Sequence, residues 1–99
     1  MANKIVWSKN ADVSFDRLTG YLEQEWTQKE VAAFVTRVYE KIDILSVFPQ
    51  AGFSTKRSNI YKTLVHKKII LIYQYKPVKK EVLLIVFWNN LQNPERLKY

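Results

Sequence analysis

The chain has 99 residues, 47% hydrophobic and 14% aromatic, with a formal net charge of +7. That length holds a single domain, 1–99, and the apolar content argues against disorder; the lack of cysteine excludes disulfides, thiolate metal sites and cysteine nucleophiles, and suits a reducing compartment. Met1-Ala2-Asn3-Lys4-Ile5-Val6-Trp7 has no signal-peptide core, and the run from Val82 to Trp88 is far short of the ~18 residues of a membrane span, so a soluble cytoplasmic protein without a membrane partner is expected.

Ile5-Val6-Trp7 reads as a short strand closed by Ser8-Lys9-Asn10, with Asn10 as the N-cap of a first helix. Ala11, Phe15, Leu18 and Leu22 recur at spacings of four, three and four, one face of that helix. Gly20 interrupts the pattern, as a close neighbour would require. Thr27-Gln28-Lys29-Glu30 is a capping box, and Val31, Phe34, Val35, Val38, Ile42 and Leu45 continue as the stripe of a second helix until Pro49 stops it. The short joint at Trp26 predicts an antiparallel helical hairpin.

Residues 49–59 have the composition of a loop, with Pro49, Gly52, Ser54, Ser58 and Asn59. Beyond it the period falls to two. Ile60 to Leu64 reads as a half-buried strand, and Ile69 to Tyr75 and Val82 to Trp88 are rich in β-branched and aromatic residues. Pro77-Val78-Lys79-Lys80 joins the last two as a hairpin loop. The order β-α-α-β-β-β predicts an α+β fold, a helical hairpin on a small, mostly antiparallel sheet, with the basic residues gathered on the sheet's other face.

The charge is divided along the chain. Residues 1–48 carry six Lys/Arg against seven Asp/Glu, and 49–99 carry ten against two, so the halves stand at −1 and +8. Segregated positive charge with a pI near 9.7 is the footprint of a surface that meets phosphate or an acidic protein; a solvated basic face is the plainer alternative. Lys56, Arg57, Lys62, Lys67, Lys68 and Arg96 are the nucleic-acid-binding candidates, whereas Lys79 and Lys80 read as a solvated turn that protects a sheet edge.

The ordered set of elements resembles the RelE/ParE superfamily of toxins from type II toxin–antitoxin modules. The resemblance rests on Trp7 closing the first strand, Tyr21, Trp26 before the Thr27 cap, and Phe34. It continues through Leu45, Phe48-Pro49, Gly52, the Ile70 to Tyr73 strand and Asn93-Pro94-Glu95-Arg96-Leu97. It spans essentially the whole chain. It implies a cognate antitoxin as partner and no metal or cofactor. It also implies one of two activities: RelE-like cleavage of mRNA in the ribosomal A site, or ParE-like poisoning of DNA gyrase. The basic charge ranks the ribosome slightly above gyrase. A non-catalytic RNA- or antitoxin-binding module is the third reading.

Metal-independent RNA cleavage needs a base for the 2′-hydroxyl, an acid for the leaving oxygen, and cations around the phosphorane. His66, the only histidine, is the candidate base, with Lys68 as the charge and Tyr73 as the proton donor. The other reading of His66 is a turn residue with no role, and of the tyrosine a packing residue. Two arginine positions of RelE-like nucleases fall at Ile70 and Leu91, neither of which can stabilise a phosphorane, so the catalytic set of an endoribonuclease is incomplete.

Overall fold

The computed structural model describes residues 2–90. Their order is β1 (Lys4–Trp7), α1 (Lys9–Glu25), α2 (Gln28–Val47), β2 (Phe53–Ser54), β3 (Ile60–His66), β4 (Ile69–Lys76) and β5 (Glu81–Asn89). The strands form one sheet in the order β1-β5-β4-β3-β2; β1 runs parallel to β5 and the other pairs are antiparallel. The α+β arrangement expected from sequence is therefore the one observed, with one strand more. The addition, β2, is only two residues long and gives too little alternation to read within a polar loop.

Local chemistry sets the helix ends. Ser8, not Asn10, caps α1: its Oγ accepts from the Ala11 N–H at 3.0 Å and donates to the Ile85 carbonyl at 2.9 Å. One hydroxyl thus ends β1, starts α1 and ties the joint to β5, which leaves Asn10 inside the first turn. The capping box at Thr27 is complete, with the Thr27 hydroxyl accepting from the Glu30 N–H and the Glu30 carboxylate from the Thr27 N–H. Gly20 has no close neighbour: a Cβ built there meets nothing within 4 Å. The expected close approach is absent because this residue faces solvent.

The helices cover one face of the sheet. Leu18 and Leu22 of α1 and Phe34, Val38, Ile42 and Leu45 of α2 are buried against Val65, Ile69, Leu71, Tyr73, Val82, Leu84 and Phe87. At one end of this core Trp7, Phe15 and Phe87 form a three-ring cluster, with centroids 5.5 Å (Trp7–Phe15), 5.6 Å (Trp7–Phe87) and 5.0 Å (Phe15–Phe87) apart. Irregular pairing between Leu64 and His66 and between the β4–β5 partners of Ile72 and Tyr73 marks bulges at Val65 and Ile85.

Strand alternation then fixes the face turned away from the helices, the open face, on which Ile72 is nonetheless fully buried. Lys62 pairs with Ile72, which pairs with Val86; Leu64 pairs with Ile70, which pairs with Trp88. The middle of this open face is therefore apolar, with Lys62 as its cation among the described residues. The basic residues do not gather there as expected. They sit mainly in the turns, where no cross-strand packing competes for them. No helix among the described residues is long and apolar enough to cross a membrane.

Candidate functional site

His66 ends β3 just beyond its bulge, which turns the ring toward the helices. It packs against Trp26 and Phe34 at centroid distances of 5.1 and 6.1 Å. Its Nδ1 is buried and finds no hydrogen-bond partner among the described residues. Burial, then the charges of Arg37 and Lys67, hold its pKa below the ordinary value. The imidazole is thus neutral at physiological pH, but one of its nitrogens is closed to solvent.

Tyr73 lies on the same face of the sheet as His66. Because His66 pairs with Ile69, the two are separated by four residues of β4, about 13 Å. The Tyr73 side chain is fully buried and stacks on Tyr61 at 5.5 Å. Its hydroxyl donates to the Pro49 carbonyl at 2.8 Å and accepts from the Gly52 N–H at 3.0 Å. Burial pushes its pKa up, with the Gly52 hydrogen bond acting in the opposite direction. These contacts make it a pin that holds the α2–β2 loop onto the sheet. Gly52 is part of the same lock: a Cβ there would stand 2.6 Å from the Tyr73 hydroxyl and 2.8 Å from the Lys62 carbonyl.

The charged candidates scatter. Lys67 and Lys68 are exposed in the β3–β4 turn, where the Lys68 carbonyl accepts from the Asn90 N–H at 2.9 Å. Lys56 and Arg57 lie in the β2–β3 loop at the opposite end of the strands. Lys62 stands on the open face, beside a shallow depression of about 210 Å³ that Phe53, Leu64 and Ile70 also line. Arg96 lies outside the described residues, as does Leu91, one of the two arginine positions of RelE-like nucleases. The other, Ile70, sits half-buried on the open face beside Leu64 and Trp88. His66 and Tyr73 thus point into the helical layer, while Lys62 points away from it.

Sequence reasoning missed the apolar open face and the Tyr73–Gly52 lock. The first was hidden because β4 and β5 are apolar on both faces, so no alternation distinguishes one from the other. The second depends on a contact across 21 residues, for which only Gly52 in a polar loop was a signal.

A family model described as the ParE toxin of the type II toxin–antitoxin system parDE matches residues 5–93. No curated protein matches the chain. Among solved structures, the chromosomal ParDE system of P. aeruginosa is similar at 12% identity and a TM-score of 0.73, over 89% of this chain and 96% of that one. The toxin–antitoxin complex RelBE2 of Mycobacterium tuberculosis has 13% identity and a TM-score of 0.60, over 90% and 99% of the two chains. A RelE toxin of E. coli, carrying two arginine-to-alanine changes and in the free state, has 14% identity and a TM-score of 0.61, over 95% and 90%. At these identities the structures speak for the fold, whereas the family model covers most of the sequence: the chain belongs to the ParE toxin family of type II toxin–antitoxin systems.

Proposed function

We propose that this toxin acts by binding a protein target, gyrase being the one that its family suggests, rather than by cutting RNA, and that a cognate antitoxin neutralises it. The observation that carries this reading is that the candidates do not converge: His66 and Tyr73 share a face but stand about 13 Å apart with both side chains held in packing, and Lys68 is in the exposed β3–β4 turn. A phosphorane must be reached at once by a base, an acid and cations. Here His66 and Tyr73 are engaged with the helices and the α2–β2 loop, and Lys62 is on the far side. The face away from the helices instead carries exposed Leu64 with half-buried Ile70, Val86 and Trp88, side chains that suit a protein surface better than a phosphate. This reverses the ranking that charge alone suggested.

Two assays on the purified chain test the reading. DNA supercoiling by gyrase should be inhibited, and primer extension on programmed ribosomes should show no A-site cleavage. Rapid cleavage that disappears in His66→Ala, with gyrase unaffected, would reverse the conclusion. Inhibition of neither would reject toxic action through these two targets and leave the non-catalytic module.

A further inference from the structure

Eight of the ten Lys/Arg in residues 49–99 lie within the described part of the chain, and five of them stand at one end of the sheet. Lys56 and Arg57 are in the β2–β3 loop, Lys76 ends β4, and Lys79 and Lys80 are in the β4–β5 turn. Lys4, at the start of β1, joins them, because its N–H donates to the Lys80 carbonyl at 2.9 Å. At the other side the Tyr75 N–H donates to the Asn59 carbonyl at 2.9 Å, which holds the β2–β3 loop beside the end of β4. From β1 across β5 and β4 to β3 is three strand spacings, so these cations form a row about 14 Å long. Within this group Glu81 pairs with Lys76 at 3.6 Å.

One backbone angle indicates that this charge is placed at a cost. Lys80 has φ 51°, a left-handed conformation that glycine or asparagine adopts more cheaply. A turn selected only to reverse the chain would carry one of those residues, as Asn59 does at φ 62° in the neighbouring loop. A strained lysine at the centre of a row of cations points to use of its charge.

We propose that this end of the sheet, with Lys4, Lys56, Arg57, Lys76, Lys79 and Lys80, is a binding surface for the sugar–phosphate backbone of a nucleic acid. A row of like charges across strand ends follows a linear polyanion and contacts its phosphates, which carry no sequence information. Binding is therefore independent of sequence and steeply dependent on salt, because each neutralised phosphate releases counterions. The surface differs from the apolar open face and does not rest on the reading of that face as a protein-binding site.

Fluorescence anisotropy with a short mixed-sequence DNA duplex and a single-stranded RNA of equal length tests the proposal, using the full chain. With four to five phosphates engaged, raising salt from about 50 to about 200 mM should weaken duplex binding by ~10²–10³-fold, and single-strand binding less steeply. The double variant Lys79→Gln, Lys80→Asn keeps a residue tolerant of positive φ at the turn; it should lower the duplex log–log salt slope by about 2. Lys9→Gln with Lys29→Gln removes the same charge from the helical layer and should leave the slope unchanged. Circular dichroism confirms that both variants fold. A tighter complex with duplex than with RNA assigns the surface to DNA, and the reverse order to RNA. Equal loss of slope in the two variants, or equal competition by polyglutamate, would overturn the proposal.

Discussion

At the scale of single residues, the two groups that a nuclease reading singles out behave as structural parts, and each behaviour can be measured. Removing the hydroxyl in Tyr73→Phe strands the Pro49 carbonyl and the Gly52 N–H that it joins. Leaving such groups unpaired costs about 1–3 kcal/mol, which a shift in urea midpoint at unchanged slope would report. His66 makes stability depend on pH. Its folded pKa is lowered below the ordinary imidazole value of 6.5, so between these two values the unfolded chain binds more protons than the folded one. Stability is therefore complete above about 6.5 and is lost as pH falls toward the depressed folded value, where an imidazolium would sit against Trp26, Phe34, Arg37 and Lys67. Urea melts from neutral to mildly acidic pH should show this loss in the parent and not in His66→Phe. Neither role was legible in the sequence. His66 beside Lys67 and Lys68 looks like a solvated turn, and only the bulge at Val65 turns the ring inward.

At the scale of elements, the sequence was most readable where a single face is buried. The stripes Leu18–Leu22 and Phe34–Val38–Ile42–Leu45 are buried as their spacing required, and the Thr27 capping box is formed in full. Strands were harder, because β4 and β5 carry apolar residues on both sides and their register depends on bulges that no composition announces. The start of α1 was displaced by two residues because Ser8 finds a second partner in Ile85, across 77 positions of chain. Gly20 offers a direct test of the element that contains it. A solvent-facing glycine inside a helix, with open space where its Cβ would be, loses backbone entropy without compensation. Gly20→Ala should stabilise the protein by about 0.8–1.0 kcal/mol in chemical denaturation. A destabilising change would show that a side chain at this position meets something within the folded chain after all.

For the whole molecule, the split between a nearly neutral first half and a strongly basic second half becomes a division in space: a mixed-charge helical layer, an apolar open face, and a cationic end. The family's arginine positions can be judged against that division. Ile70 lies in the middle of the open face beside Lys62's strand, so Ile70→Arg would bring a cation next to Lys62 there. If charge were the missing ingredient, RNA cleavage should appear. The acid and base candidates, however, are on the opposite face, with the sheet itself between them and any phosphate bound there. Ile70→Arg is therefore expected to yield no A-site cleavage on programmed ribosomes. By placing a guanidinium between Leu64 and Trp88 it should also weaken whatever contact the apolar face makes, so growth inhibition on induced expression should fall. Cleavage gained by this one substitution would mean that a base and an acid reach the open face after all. Toxicity retained at the parent's level would move the target contact elsewhere on the molecule.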